Sequence, residues 1–404
     1  MSKLRKIKSI ANLGKHFWLH VFRRLVRKPR PGEEMHKFLE YYSADKLTSL
    51  TCDDRTALFE YQKCINCGTC ARVCPVYAPA AHGSYRAPDS IVAALSRSFP
   101  EFGAARDAVF NCTQCGACAL ECPRGIDAPG LIMLVRRKAA DADGAVIRAT
   151  FRDRLDTLEK HGSVHGAPAA DFSAYKKQGA EYVFFTGCAG RTFAADETRK
   201  ILELLRKLNV DFTMVDDACC GGFHRSAGLL RPDSPVALAA VRRILDSGAT
   251  KVITACPHGL YTMRTHPAYK DKVHAQHVLE LLDGMEFATA REHTTVTYHD
   301  PCFLGRRLGV CDAPRRMIAR TGATLVEMPD ARERTVCCGS QEGEFILDPA
   351  VAQAMAASRA AQAAATGAAT LLTACPACRR DLAQAAPGLA VQTVCEYIAD
   401  HYQP

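Results

Sequence analysis

Apolar positions change their period along this chain, and the changes divide it. Near the start they recur at helical spacing: Leu4, Ile7, Ala11, Trp18, Val21, Phe22 and Leu25 share one face of a helical wheel, with most basic residues on the other side. Helical periodicity returns in residues 90–99, 104–110 and 128–139, each beside a cysteine-rich loop. From residue 182 short continuous apolar runs alternate with amphipathic segments, which predicts strands joined by helices and therefore parallel sheet.

That last region reads as an internal duplication. The first copy has a strand at 182–186 leading to Cys188, a helix at 195–208, a strand at 211–215 and then Cys219-Cys220-Gly221. A helix opens at Ser234-Pro235 and stops near Gly248, and a strand at 251–254 runs into Cys256-Pro257. The second copy repeats the order: strand 295–298 leading to Cys302, helix 314–321, strand 324–327, Cys337-Cys338-Gly339, a helix from Asp348-Pro349 to Gly367, and strand 370–373 running into Cys375-Pro376. A cap residue followed by proline and a glycine past the last turn are helix start and stop signals. The expected fold class is α/β: a helical two-cluster ferredoxin domain at 33–140, a linker at 141–180 holding one helix near 151–160, and two strand-helix domains at 181–290 and 291–404. Each cysteine group falls at the carboxyl edge of a sheet, where open α/β sheets hold ligands.

Composition is that of an ordinary globular protein, and charge matters only by where it sits. Residues 1–32 hold ten of the 52 basic residues and none of the 43 acidic ones, so the formal +9 lies in the leader and the remainder is near neutral. No stretch of about 18 uncharged apolar residues exists. A secretory signal is not expected either, because no clean apolar core or small-residue cleavage site follows the basic start. A basic amphipathic helix with the chain's single Trp on its apolar face fits either an anionic membrane surface or a partner subunit, and Pro29, Pro31 and Gly32 are expected to end it. A cap at residues 51–54 is expected to start a further helix carrying Leu58 and Tyr61.

Eight of the twenty cysteines form C-x2-C-x2-C-x3-C-P twice: Cys64, Cys67, Cys70, Cys74 and Cys112, Cys115, Cys118, Cys122. This is the run that binds paired cubane 4Fe-4S clusters, the fourth cysteine of each run ligating the other cluster. Disulfide frameworks belong to small secreted domains, and structural zinc uses two well-separated pairs. Reduced thiols and labile clusters place the chain in the cytoplasm.

The later pattern, a cysteine after a strand, Cys-Cys-Gly about thirty residues on and Cys-Pro-x-Cys beyond, resembles the cysteine-rich CCG domain of heterodisulfide reductase. With the two ferredoxin runs ahead of it, the layout is similar to the iron-sulfur subunits of anaerobic glycerol-3-phosphate dehydrogenase and glycolate oxidase, and to fused heterodisulfide-reductase-like proteins of membrane complexes. The resemblance covers residues 60–395. It implies a noncubane 4Fe-4S cluster on Cys302, Cys337, Cys338, Cys375 and Cys378. Copy one departs from the pattern, because Cys256-Pro257-His258-Gly259 has glycine where the last cysteine belongs. Its four thiolates, Cys188, Cys219, Cys220 and Cys256, leave a cubane, a smaller cluster or no metal open.

His224, His258 and His299 lie near these groups and could ligate, relay protons or pack; Glu342 and Glu344 could move protons or line a solvated loop. Cys52, Cys311 and Cys395 receive no role. Neither G-x-G-x-x-G after a strand nor G-x-x-x-x-G-K-[ST] occurs, so flavin or nicotinamide, if involved, is expected on another subunit. The expected function is an electron-transfer subunit between a partner flavoprotein and a membrane quinone-reactive or haem subunit. It would be peripheral on the inner face of the cell membrane, held through residues 1–30, without a nucleic-acid partner. The alternatives are thiol/disulfide chemistry with Cys337 and Cys338 as catalytic residues, and a scaffold with structural clusters.

Overall fold

In a computed structural model the described residues are 3–26, 33–41, 50–79, 87–97, 109–142, 149–166, 169–291, 293–340 and 347–404. They form two compact units, Met1–Arg55 and Thr56–Pro404. The first holds the helix Lys3–Val26, on which Leu13, Phe17, Trp18, Phe22 and Leu25 are exposed, with the Phe17 and Trp18 rings meeting edge to face at 5.7 Å. Among the described residues no helix is long and apolar enough to cross a membrane. The expected stop at Pro29, Pro31 and Gly32 lies outside the described residues. A second helix covers Glu33–Tyr41. The helix Cys52–Tyr61 begins where the cap signals put it, because the Thr51 amide donates to Asp54 Oδ2 at 2.9 Å and the Asp54 amide to Thr51 Oγ1 at 3.1 Å.

The second unit opens with two cysteine loops, each closing on a single helical turn, Thr69–Arg72 and Ala117–Leu120. Helices Pro88–Arg97 and Ala128–Ala142 pack around them over Val109, Phe110, Leu131 and Ile132. The expected helix at 104–110 lies mostly outside the described residues. The expected linker contains the helix Ala149–His161, whose Phe151 is fully buried between Phe110 at 6.1 Å and Phe223 at 4.5 Å. That stretch is thus a wedge packed against both the cysteine-loop module and copy one.

Copy one is a four-stranded parallel sheet of β1 (Tyr182–Phe185), β2 (Phe212–Val215), β3 (Lys251–Thr254) and β4 (His274–His277), ordered β2-β1-β3-β4. A two-stranded antiparallel ribbon joins β5 (Ala288–Thr289) to β10 (Tyr402–Gln403). Copy two repeats the sheet with β6 (Thr295–His299), β7 (Thr324–Leu325), β8 (Thr370–Thr373) and β9 (Ala390–Thr393), ordered β7-β6-β8-β9. The fold class is α/β with two parallel sheets behind a ferredoxin-like module. The edge strands β4 and β9 were not legible, because His-Ala-Gln-His and Ala-Val-Gln-Thr carry no apolar run. β7 ends at Leu325, short of the expected 327, where the Glu327 carboxylate turns to Arg315.

The two copies share one core, with Leu279, Leu282, Tyr298, Leu304, Val394 and Ile398 in the same cluster. His277 joins them more specifically. Its Nδ1 accepts from the Leu279 amide, so Nε2 carries the proton, and that N–H spans the carbonyls of Ala255 at 3.3 Å and Ala374 at 3.2 Å. These residues immediately precede Cys256 and Cys375, so one imidazole sets the spacing of two cysteine sites.

Where the helix Ala195–Lys207 meets the helix Val394–His401, Glu197 is buried beside Glu396, and burial followed by that neighbouring charge pushes its carboxyl from 4.5 up to about 8. A folded pKa above the unfolded one means the folded state holds the extra proton between those values. Stability is therefore full at low pH and falls from pH 4.5 to 8, by about 1.4 kcal/mol per pH unit for one proton. Glu197→Gln has no such proton to lose. Its thermal midpoint should match wild type near pH 5 and exceed it by several degrees at pH 8.5, in anaerobic melts; a difference that does not change with pH refutes the assignment.

Candidate metal centres

Local backbone shapes every cysteine loop in the same way. In the first run Asn66 and Gly68 take φ of 56° and 72°, and in the second Gln114 and Gly116 take 58° and 85°. These left-handed residues flank the second cysteine of each run and turn the loop inward. Gly116 is doubly constrained: an added Cβ would lie 2.8 Å from Arg307 Nε. The amide two residues after a cysteine then points back at sulfur: Gln114 N to Cys112 Sγ at 3.4 Å, Gly221 N to Cys219 Sγ at 3.4 Å, Gly222 N to Cys220 Sγ at 3.4 Å and Gly339 N to Cys337 Sγ at 3.5 Å.

The two runs interlock. A cavity of about 330 Å³ is lined by Cys112, Cys115 and Cys118 of the second run together with Cys74 of the first. Cys112, Cys115 and Cys118 are buried, while Cys64, Cys70, Cys74 and Cys122 are half-buried and Cys67 is exposed. Burial pushes Cys112 up to about 12 and Cys70 to about 11, Asp89 and Cys64 adding to the latter. Thiols so placed ionise only if a cation joins them, and a site of soft sulfur donors suits iron.

Copy one gathers Cys188, Cys219, Cys220 and Cys256 around a pocket of about 610 Å³ at the ends of β1, β2 and β3, with His258 and Gly259 in its wall. Cys188 accepts a hydrogen bond from Cys219, which brings it down to about 7. The Gly259 amide donates to Cys256 Sγ at 3.4 Å. An added Cβ at Gly259 would lie 3.6 Å from Cys220 Sγ and 3.7 Å from Cys256 Sγ, ordinary contact distances. Position 259 therefore faces the sulfur cluster. His258 Nε2 accepts from Arg225 at 2.9 Å, and His224 is half-buried and outside the lining of that pocket.

Copy two brings together its own five. Cys302 and Cys337 lie 3.8 Å apart, and Cys338 accepts from Cys378, which holds it well below the usual thiol range; Cys375 is buried beside them. His299 contributes a ring nitrogen within 4.8 Å of the Cys338 and Cys378 sulfurs. Asp300, ahead of Cys302, is gripped by both Arg315 terminal nitrogens at 2.8 and 2.9 Å and by the Arg332 amide at 2.8 Å. Glu342 and Glu344 lie outside the described residues. Cys52 is exposed; Cys311 is buried with its thiol 3.5 Å from Glu333; Cys395 is buried in the shared core.

The centres adjoin one another. Cys115 donates to Cys337, linking the second ferredoxin loop to copy two, and Cys375 lies near enough to Cys256 for their charges to interact. Arginines brace these junctions. After Cys302 a π-helical turn, Phe303–Arg307, sends Arg306 to the Cys115 carbonyl at 3.0 Å and Arg307 to the Gln114 carbonyl at 3.0 Å. Arg136, fully buried, donates to the carbonyls of Val109, Cys112 and Ser226. Sequence reasoning missed Arg136, Arg306, Arg307 and Arg359. Arg306 and Arg307 follow Cys302 by four and five residues and Arg359 is the lone cation of the alanine-rich helix Pro349–Ala364, but neither pattern by itself marks a buried arginine.

Two domain families account for these sites. Residues 60–126 match the 4Fe-4S dicluster domain, and residues 182–264 and 296–383 match the cysteine-rich domain known as CCG. The chain belongs to the CCG-domain iron-sulfur proteins and binds iron-sulfur clusters. It is 29% identical over 406 aligned positions to one subunit of the dihydromethanophenazine:CoB--CoM heterodisulfide reductase of Methanosarcina mazei, covering 88% of this chain and 97% of that one. It is 24% identical to EtfAB:quinone oxidoreductase of Syntrophomonas wolfei, over 72% of this chain and 49% of that longer one. A crystal structure of a hypothetical protein from Helicobacter pylori shares the fold, with a TM-score of 0.55 at 10% identity over 91% of this chain and 77% of that one.

Substitutions test the geometry by iron and sulfide content and electron paramagnetic resonance. Cys74→Ser should bleach the cubane of the second run and leave that of the first, whereas Cys67→Ser should do the opposite; loss of the same signal in both refutes the interlock. Gly259→Cys should alter the copy-one signal or raise the iron count, and an unchanged spectrum means position 259 does not meet a cluster.

Proposed function

We propose that this iron-sulfur electron-transfer subunit relays electrons between a partner flavoprotein dehydrogenase and a membrane quinone-reactive or haem subunit, and that it sits on the cytoplasmic face of the membrane through residues 1–30. Cys64, Cys67 and Cys70 with Cys122 would hold one cubane, and Cys112, Cys115 and Cys118 with Cys74 the other. Cys302, Cys337, Cys338, Cys375 and Cys378 would hold a noncubane cluster, and Cys188, Cys219, Cys220 and Cys256 a further one. Such clusters, when bound, supply reversible one-electron storage.

The observation that carries this reading is the unbroken series of sulfur sites within one compact unit. Cys74 closes the cavity of the second run, Cys115 meets Cys337, and the His277 bridge holds the approach of Cys375 to Cys256. The chain's residues set the spacing, exclude water and fix the loops; Arg136, Arg306 and Arg307 do the last by spending their donors on cysteine-loop carbonyls. The exposed aromatic face and acid-free charge of the leader suit an anionic lipid surface.

A second reading, thiol/disulfide oxidoreduction at Cys337 and Cys338, is favoured by the likeness to a heterodisulfide reductase subunit and by the complete five-cysteine set of copy two. Gly259 argues against it, since copy one lacks the matching set.

Anaerobically purified protein decides between them. The relay should pass electrons from a flavoprotein to a quinone analogue and fail to reduce a mixed disulfide with a dye donor; disulfide reduction abolished by Cys337→Ala reverses the choice. About twelve or more irons per chain are expected, about eight if only the ferredoxin sites fill. Deleting residues 1–32 should release the protein from anionic vesicles without loss of colour, and retention refutes the leader's role.

A further inference from the structure

Copy two contains a buried pair of side chains facing its sulfurs, at positions where copy one has neither partner. His299 ends β6 and Arg359 comes from the helix Pro349–Ala364; both are fully buried. Arg359 Nε donates to His299 Nδ1 at 3.1 Å. A guanidinium has no acceptor, so Nδ1 must be the accepting nitrogen and the ring proton sits on Nε2. That Nε2 is buried and has no hydrogen-bond partner among the described residues. A nitrogen of the same ring lies within 4.8 Å of the sulfurs of both Cys338 and Cys378. A protonated nitrogen cannot give its lone pair to iron, so the tautomer makes Nε2 a donor and excludes it as a ligand.

The arginine adds charge to the same place. Its other donors go to Gln362 Oε1 at 2.6 Å and Thr335 Oγ1 at 3.4 Å, and among the described residues it makes no salt bridge. The negative groups acting on it are Asp300, which Arg315 already holds, and Cys338, with Asp330 and Glu327 beyond. A buried guanidinium without a carboxylate of its own is costly unless anionic sulfur supplies the counter-charge.

The duplication provides an internal control. The strand registers pair Phe184 with Ile253 and Tyr298 with Leu372, which makes Phe185 the counterpart of His299. Counted back from the glycine past each helix, Gly248 and Gly367, Arg359 corresponds to the fully buried Ala240, and Gly259 matches Cys378. At these three positions imidazole, guanidinium and fifth thiol are present together in copy two and absent together from copy one, whose own wall histidine, His258, stands at a different position and is held by Arg225.

We propose that His299, locked by Arg359, is a positioning residue that donates its Nε2–H to the Cys338 or Cys378 sulfur of the copy-two cluster, so that the pair favours the reduced, more negative state of that cluster. This rests on the reading of Cys302, Cys337, Cys338, Cys375 and Cys378 as cluster ligands. A hydrogen bond and a positive charge both raise reduction potential by stabilising added charge.

The test uses the full-length, cluster-loaded protein, with the copy-two resonance identified as the signal lost in Cys378→Ser. His299→Leu should keep its iron and sulfide, lose the exchangeable-proton coupling seen by pulsed resonance in deuterated buffer, and shift the one-electron equilibrium about tenfold toward the oxidised state, about 59 mV. His299→Gln, which keeps an N–H, should recover part of that shift. Arg359→Met serves if His299→Leu does not assemble: it keeps the ring, frees Nδ1, and should also lower the potential. Unchanged potential and proton coupling in His299→Leu, or an unchanged potential in Arg359→Met, overturns the proposal. So does a directly coordinated nitrogen in wild type, which would make His299 a ligand. A wild type without any resonance lost in Cys378→Ser refutes the cluster assignment itself, before the histidine is in question.

Discussion

Sulfur that must carry negative charge inside a protein needs compensation, and most of this fold is arranged around that requirement. Where the cysteines are buried, desolvation favours the neutral thiol, as at Cys112 and Cys118. Metal would supply most of the opposing charge, but the backbone contributes first. Left-handed residues at 66, 68, 114 and 116 turn each ferredoxin loop, and amides two residues beyond Cys112, Cys219, Cys220 and Cys337 point at sulfur. Oriented amides of this kind form an anion-binding concavity without a formal charge. The glycines after the cysteine pairs follow from the same need, since Gly221 and Gly339 have φ of 82° and 83°.

Compensation on that scale constrains how the modules can pack. An arginine donating to the carbonyls of one loop from another module fixes both: Arg136 joins the ferredoxin helix to copy one through Ser226, and Arg306 and Arg307 join copy two to the second ferredoxin loop. Such bonds from a charged donor to buried carbonyls are stronger than neutral ones and leave no acceptor orphaned. His277 does comparable work between the copies with a single N–H. The contacts that neutralise the loops are thus also those that bring neighbouring sulfur sites together, so packing and the spacing of those sites are set by the same side chains.

Legibility in the sequence followed the same division. The cysteine runs, the duplication and the inner strands announced themselves by spacing, because ligand geometry and parallel-sheet burial both impose strict local patterns. β4 and β9 did not, since four-residue edge strands with polar side chains have no period to detect. The cap at Thr51 to Asp54 was readable because both partners lie within one turn. Arg136, Arg306, Arg307 and Arg359 were not, because the cysteine-loop carbonyls and the imidazole they bond lie 24 to 193 residues away and nothing local distinguishes a buried arginine from a solvated one. His299 was visible as a residue near a cysteine, but its orientation depends on Arg359 sixty positions later.

The two copies share strand order, register and the ligand positions up to the first cysteine of the last motif, so their differences cannot be assigned to the scaffold. At the equivalent positions copy one has Phe185, Ala240 and Gly259, and copy two has His299, Arg359 and Cys378. Loss of a thiolate lowers the negative charge a site must hold, and with less charge to hold, a buried guanidinium and its oriented imidazole would be uncompensated. The three substitutions therefore form one electrostatic unit: any of them alone would leave either unpaired sulfur charge or an unpaired buried cation. Copy one is accordingly a four-sulfur variant of the site, in which Phe185 takes the place of the imidazole at the strand end and the wall histidine is His258, held by Arg225. Unlike surroundings give unlike potentials even for similar clusters, so two sites that differ in thiolate number and in where their imidazole and guanidinium stand have different electrostatic settings on one duplicated scaffold.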